Sequence, residues 1–431
     1  MHRLLSRLRT DKSGNFGIMT APMIMPLVGV AGLAIDFSNA LNIRTELSNA
    51  ADAAAIGAVA EKSPGVLAAM AMTGDGTVTL AQDDARKLFF GQASVQTQGV
   101  SVDVDTSLSR TSDMLTSRVT FNASVPTTFL KILGKDSISI SGTATAQNET
   151  AKFMDFYILI DNSPSMGVGA TLKEIDALES KTGCAFACHQ LDKEVNNYTI
   201  AKDLKVNMRI DVVRMATQAL AERAKTDRLT NDQFQMGVYT LGARAEDAQL
   251  TTISGLTSDM DQVKKYTSTV DLMTIPYQNY KEDQLTNFDD ALTAMNGTII
   301  NNASQGATAT DRKKILFIVS DGVGDRQKPD TCTENVTSKG RCQEPIDASF
   351  CEPLKKRGVQ IAVLYTTYLP MKKDADNWYD TWIRPFHDDI AGKMEACATP
   401  GFYFEVSPSE GIDTAMNALF AKVVHAPRLT H

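Results

Sequence analysis

Apolar and polar positions follow three successive patterns along the chain, and each predicts a different kind of element. From Phe16 to Ile35 no charged side chain interrupts an apolar run. Roughly 20 residues at 1.5 Å rise make a helix about 30 Å long, which matches the hydrocarbon core of a bilayer. Pro22 and Pro26 fall inside the run, where a membrane helix tolerates them. From Phe37 to Lys62 the chain stays helical in character but turns Ala-rich, with Leu47, Ala51, Ala54 and Ala58 on one face. Small residues there either admit another helix at close range or simply favour helix in a solvated stalk.

From Gly74 to Gln147 the period drops to two, in Val100-Val102-Val104, Val119-Phe121-Ala123-Val125, Ile138-Ile140 and Ala144-Ala146. Such alternation predicts half-buried antiparallel strands, preceded by a short helix near Ala81 to Phe90. Beyond Lys152 short apolar runs alternate with helical stretches. Phe156 to Ile160, Met236 to Leu241, Ile315 to Val319, Val359 to Tyr365 and Phe402 to Val406 read as buried strands. Ile210 to Ala224, Phe288 to Met295, Ala348 to Lys356 and Ile412 to Val423 read as helices. The alternation implies an α/β fold with a doubly wound, mostly parallel sheet of Rossmann type. The expected organisation is a basic head (1–13), a transmembrane helix (14–36), an Ala-rich helix (37–62), a small β-rich α+β module (63–150) and the α/β domain (151–431). Two segments of that domain, Gly167 to Asp203 and Asp325 to Ser349, lack clear periodicity and carry four of the six cysteines.

Charge sharpens the picture. The 43 Lys+Arg against 51 Asp+Glu give a net charge of −8, which excludes a general nucleic-acid binder. Arg3, Arg7, Arg9 and Lys12 precede the apolar run against Asp11 alone. The positive-inside bias then keeps the N-terminus cytoplasmic and sends the bulk of the chain across the membrane. A secretory signal peptide cleaved near Gly32-Leu33-Ala34 and a buried soluble helix are the alternatives, and the first of them also exports the chain. All six cysteines lie beyond the run, an even number that fits disulfides in an oxidising compartment. Local pairings of Cys184 with Cys188 and Cys332 with Cys342 are expected. A zinc site lacks ligands, since His189 alone stands beside a cysteine, and Cys184-x-x-x-Cys188-His189 is one residue too long for c-type haem attachment.

The candidate chemistry lies at strand ends. Asp161, Ser163 and Ser165 follow the run Phe156 to Ile160, and Asp321 follows Ile315 to Ser320. Thr286 stands at or just before the start of the helix at Phe288. In parallel sheets the carboxyl edge is where ligands bind. Oxygen ligands of which several are neutral hydroxyls suit a hard divalent cation, Mg²⁺ first, with Mn²⁺ or Ca²⁺ as alternatives. His387 beside Asp388 and Asp389 lacks a nucleophile, so no enzyme is expected. Trp378, Tyr379 and Trp382 offer either a recognition patch or, more simply, a helix anchor.

Asp161-x-Ser163-x-Ser165, Thr286 and Asp321 resemble the metal-ion-dependent adhesion site of von Willebrand factor A domains, over Lys152 to about His425. The resemblance implies that Ser163, Ser165 and Thr286 ligate the cation directly and that Asp161 and Asp321 ligate it or act through water. Pro164 stands where that family often has glycine, and Gly167 to Asp203 looks like added material. Lys12-Ser-Gly14-Asn15, the apolar run, Ala34-Ile-Asp36-Phe37 and Leu47-Ser-Asn-Ala-Ala-Asp52 resemble the N-terminal segment of bacterial Tad (Flp) pilus-assembly proteins of the TadE/TadG kind. A pseudopilin cut after Gly14 would have glutamate at its fifth mature position, where this chain has Met19, so peptidase cleavage is not expected. Together the resemblances imply a single-pass protein of the bacterial cell membrane, with its bulk in the periplasm. It would assist assembly or anchoring of a pilus by recruiting a partner's Asp or Glu to the cation. A surface adhesin using the same chemistry on host or matrix ligands is the alternative.

Overall fold

The computed structural model describes residues 15–93, 99–368, 378–406 and 411–424. The basic head, Gly14 and His425 lie outside them. The chain divides into two compact units between Ala151 and Lys152.

The first unit comprises α1 (Asn15–Ala58), α2 (Pro64–Met70), β1 (Gly76–Thr77), α3 (Thr79–Gln92), β2 (Ser101–Thr111), β3 (Met114–Pro126) and β4 (Ser137–Glu149). The strands form an antiparallel sheet in the order β1-β2-β3-β4. The span and the Ala-rich stretch that follows it form one continuous helix of 44 residues. From Gly32 onward α1 buries a stripe, Asp36, Ala40, Ile43, Leu47, Ala51, Ala54 and Ala58, against β3, β4 and α3. Of the two readings, the close approach of another helix holds, since α3 packs against α1, and the sheet shares the same face. The small side chains of the alanines let α1 lie close on its own module's sheet, whose facing residues Leu115, Val119 and Phe121 are fully buried. Opposite Phe121 on β4 stands Gly142, where a Cβ would come within 2.5 Å of the ring. Upstream of Gly32, Met23, Ile24, Leu27, Val28 and Val30 are exposed, and α1 from Pro22 is long and apolar enough to cross a membrane.

Turn chemistry sets the ends of the shorter elements. Ser63 caps α2 by accepting from the Val66 amide at 3.2 Å, with Pro64 at the first helical position. The buried Arg110 donates to the carbonyls of Ala69 (2.8 Å), Met72 (2.9 Å) and Ser112 (2.9 Å), so a guanidinium satisfies the end of that helix.

The second unit runs β5 (Met154–Ile160), α4 (Leu172–Thr182), β6 (His189–Gln190), α5 (Asn197–Asp203), α6 (Arg209–Asp227), β7 (Phe234–Thr240), β8 (Thr251–Thr257), α7 (Met260–Thr267), β9 (Thr274–Ile275), α8 (Phe288–Thr298), β10 (Lys313–Ser320), β11 (Val323–Gln327), β12 (Arg341–Pro345), α9 (Glu352–Lys356), β13 (Gln360–Thr366), α10 (Asp389–Cys397), β14 (Tyr403–Val406) and α11 (Ile412–Val424). Its six-stranded sheet has the order β14-β13-β10-β5-β7-β8. All neighbours are parallel except the edge strand β8, which runs antiparallel to β7. Counted in chain order within the sheet this is 3-2-1-4-5-6, a doubly wound α/β fold whose order reverses between β5 and β10. Every residue of β5 is buried, because helices cover both faces. Phe156, Ile158 and Ile160 join Phe317 and Phe420 in one core, while Tyr157 and Leu159 join Leu316, Ile318 and Val363 in the other.

The cysteines pair differently from the sequence expectation in one respect. Cys332 joins Cys342, but the second disulfide is Cys351 with Cys397, and Cys184 and Cys188 are not disulfide-bonded. Main-chain pairing explains this: Phe186 bridges Val168, and β6 pairs with β9, so the stretch leading through Cys188 is held extended rather than closed into a tight loop. Cys351 and Cys397 meet because the start of α9 and the end of α10 lie together on one face of the sheet.

Candidate metal centre

The reversal of strand order places Asp161, just past β5, beside Asp321, just past β10, at the carboxyl edge where neighbouring crossovers diverge. The Asp161 amide still donates to the Val319 carbonyl at 3.0 Å, so the ladder fixes where both acids leave the sheet. Asp161 accepts from the Ser163 amide (2.9 Å) and from the Ser320 hydroxyl (2.6 Å). The Ser163 and Ser165 hydroxyl oxygens lie 3.0 Å apart. Pro164 opens the short 3₁₀ turn Pro164–Gly167, in which its fixed φ and missing N–H cost nothing. Gly322, at φ +76°, turns the chain after Asp321, and a Cβ there would come within 2.9 Å of Ile390 and Met394.

Asp161, Ser163 and Ser165 are thus joined by hydrogen bonds, with Asp321 close enough to Asp161 to feel its charge. Thr286 reaches the same edge by another route. Its amide donates to the Asp325 carbonyl at 3.0 Å and its carbonyl accepts from the Asp325 amide at 2.8 Å, four residues beyond Asp321. Asn287 rather than Thr286 caps α8, accepting from the Asp290 amide at 3.1 Å. The Thr286 hydroxyl makes no hydrogen bond to the other four residues. The segment from Asp325, aperiodic in sequence, holds Thr286 in place. It folds as the β11–β12 hairpin, stapled by Cys332–Cys342, and Arg341 (2.5 and 2.9 Å) and Gln343 (3.0 Å) grip Asp325. Charge pairs extend the grip, the partly buried Arg326 on Asp289 and the buried Lys328 on Glu344 (2.5 Å).

Three further residues matter and were not selected from the sequence. Ser320 supplies the proton of the short bond to Asp161. Asn162, also buried, ties the loop down by donating to the Gly242 (2.6 Å) and Asp271 (3.2 Å) carbonyls and accepting from the Leu241 amide (3.1 Å). Arg209, 1% exposed, places Nη1 3.4 Å from Asp321 Oδ2 and Nη2 3.2 Å from the Thr367 carbonyl, and lies over the Tyr368 ring. Its Nε, buried, has no hydrogen-bond partner. One signal for it was available: Arg209 falls on the same helical stripe as Val213, Ala216 and Leu220, where a charge is out of place.

Burial pushes the Asp161 carboxyl above the usual range, against the hydrogen bonds from Ser320 and Ser163. Asp321 is pushed up to about 7, by burial first and by the neighbouring Asp161 second, with Arg209 opposing. Two buried acids with one guanidinium between them carry a formal charge of −1 when all are ionised, and their oxygens face hydroxyls rather than further cations. This donor set fits a hard divalent cation, which would complete the neutralisation that Arg209 begins. Among the described residues the other gathering of possible ligands is Cys332, Cys342 and Glu344, whose sulfurs are spent in the disulfide. His387 instead hydrogen-bonds Tyr379 through Nδ1 at 3.0 Å, and Tyr379 is buried against Tyr368, so the aromatic cluster there anchors its helix. Trp378 meets Phe186 edge-on.

Residues 14–61 match the family described as putative Flp pilus-assembly TadE/G-like. The first helix is TadE/G-like. No curated protein matches the chain. Among solved structures, the von Willebrand factor domain of the type V pili tip protein Mfa5 from Porphyromonas gingivalis overlaps 65% of this chain and 99% of its own, at 9% identity and a TM-score of 0.37. The PilB minor pilin from Streptococcus sanguinis overlaps 75% and 78% respectively, at 9% identity and a TM-score of 0.36. The SpRpn10 VWA domain overlaps 64% and 100%, at 11% identity and a TM-score of 0.33. The fold assignment rests on the strand order and register described above, not on these overlaps.

Proposed function

We propose that this chain is a non-enzymatic, membrane-anchored protein, similar in layout to TadG, that assists assembly or anchoring of a Tad/Flp-type pilus by capturing a carboxylate-bearing protein partner. In this reading α1 crosses the cell membrane once, with the N-terminus cytoplasmic and both units outside. The TadE/G-like match over residues 14–61 supports the pilus setting.

The observation that carries the capture is the pair of buried acids, Asp161 and Asp321, beside facing hydroxyls and under a single guanidinium. Asp161, Ser163, Ser165, Thr286 and Asp321 would hold a divalent cation, which supplies an electrophilic position for an outside carboxylate. The chain's own residues do the rest. Ser320 and the Ser163 amide orient Asp161, Asn162 fixes the loop against its neighbours, and the buried Arg209 holds Asp321. With a divalent cation in place the formal −1 of the site becomes +1, which favours an acidic ligand and disfavours a basic one. Affinity capture from membranes with and without EDTA tests the reading. Pilus-assembly proteins should co-elute only with the cation present, and Asp161→Ala should lose them while still reaching the membrane. Retention of the same partners by Asp161→Ala in EDTA would refute metal-bridged capture, and loss of host-ligand binding with pili intact would favour the adhesin.

A further inference from the structure

We propose that the loop between β3 and β4 is a second membrane contact, seating Ile132 and Leu133 in the same bilayer that α1 crosses, and that Asp36 is the residue that positions it. The inference rests on the reading of α1 as a span.

Ile132 and Leu133 are 83% and 68% exposed, at the tip of a short 3₁₀ turn, Leu130–Leu133, flanked by Lys131 and Lys135. Two neighbouring aliphatic side chains held out from a folded module, between two lysines, have the composition of an interfacial anchor. The aliphatic groups suit the acyl boundary and the lysines suit anionic headgroups. The turn is not free to hang elsewhere. Both Asp36 carboxylate oxygens accept from its leading amides, Thr128 at 3.0 Å, Phe129 at 2.8 Å and Leu130 at 2.7 Å. One helical turn before Asp36, Gly32 lets the Phe129 ring lie directly on the helix, because a Cβ there would be 2.5 Å from Cγ.

Position along α1 identifies the occupant. Among the described side chains Gly32 and Asp36 are the first buried residues of the stripe, and counted from Phe16, where the apolar run begins, Ile35 lies about 30 Å along α1 at 1.5 Å per residue. A hydrocarbon core about 30 Å thick therefore ends near Ile35, at the level where Asp36 holds the loop. Val28 and Ile35, seven residues apart on one side of α1, are both exposed. A carboxylate inside a buried stripe whose other members are apolar is accounted for if its work is to hold this loop at the membrane surface.

The test uses the full chain reconstituted in phosphatidylcholine and phosphatidylglycerol vesicles whose acyl chains are brominated near the headgroup. Tryptophan reporters are read against the parent, whose own Trp378 and Trp382 supply the background. Val28→Trp reports the span and Ile132→Trp reports the loop. Both should lose emission in brominated vesicles relative to unbrominated ones. Adding Asp36→Asn, which removes one acceptor oxygen, should reduce the loss at Ile132→Trp and leave Val28→Trp unchanged. Quenching of Val28→Trp without quenching of Ile132→Trp overturns the loop proposal and leaves the span standing. No quenching at Val28→Trp overturns the span and this proposal with it. Undiminished quenching of Ile132→Trp in Asp36→Asn overturns the positioning role.

Discussion

Replacing Asp321 by asparagine should flatten the pH dependence of the second unit's cation-free stability. In the folded chain Asp321 holds its proton up to about 7, because burial and the adjacent Asp161 penalise its charge, whereas an unfolded aspartate loses it near 3.8. Between those values the folded state binds more protons than the unfolded one, so stability falls as pH rises. Below the lower value the penalty vanishes, and above the upper value it is complete. At about 1.36 kcal/mol per pH unit over about three units, the full effect is about 4 kcal/mol. For a unit of this size that is a shift on the order of 10 °C in melting temperature. Asp161 is raised in the same direction and steepens the slope. Both tryptophans lie in the second unit, so tryptophan emission of the full chain in detergent micelles, with EDTA, reports that unit's melting alone. Asp321→Asn keeps the volume and drops the charge, so its melting temperature should exceed the parent's at pH 8 and converge toward it near pH 4. Divalent cation should raise the parent far more than the variant. An equal slope in both proteins would show that Asp321 does not carry the buried charge assigned to it.

Arg209→Met removes a positive charge beside the proposed cation. At about 5 Å and an effective dielectric of about 20 its repulsion of a divalent ion is about 7 kcal/mol, so calorimetry should find divalent binding tightened by well over about 100-fold and the cation-free protein destabilised. The disulfides should differ in worth: loop entropy assigns about 3 kcal/mol to Cys332–Cys342 and about 4 kcal/mol to Cys351–Cys397, so denaturant midpoints should fall further for paired serine substitutions at the latter. Ala54→Leu, at a position with no exposure, should overpack the contact between α1 and the sheet and cost about 1–3 kcal/mol in the first unit, read by circular dichroism.

The buried strands were legible because a strand covered on both faces is a run of apolar residues, as in Phe156 to Ile160, and little else in the chain looks like that. The edge strand β8 was not: Thr251–Thr257 is partly solvated, its pairing with β7 is irregular, and its residues are mostly polar. Helices α4, α5, α7 and α10 also escaped, since each is short and buries few residues, Leu178 alone in α4. The two acids were legible as strand-end residues. Arg209 was not legible as their partner, because 112 positions separate it from Asp321 and only the completed sheet brings them together. The same reason hid Cys351–Cys397, while Cys332–Cys342 closes a local hairpin. Within α1 a change from long apolar residues to alanine alters what the helix packs against without ending it.

That continuity gives the first unit a mechanical character. The helix proposed to pass through the bilayer is, without interruption, the helix whose stripe from Ala40 to Ala58 forms the module's core. Tension along α1 is met by no linker that could stretch or swivel. It acts as shear, sliding Leu47, Ala51 and Ala54 lengthwise past the sheet, so many contacts must yield together rather than peel one by one. The strength of the tether is then the folding stability of the module itself, and any substitution that softens that core also weakens the attachment, however far it lies from the membrane.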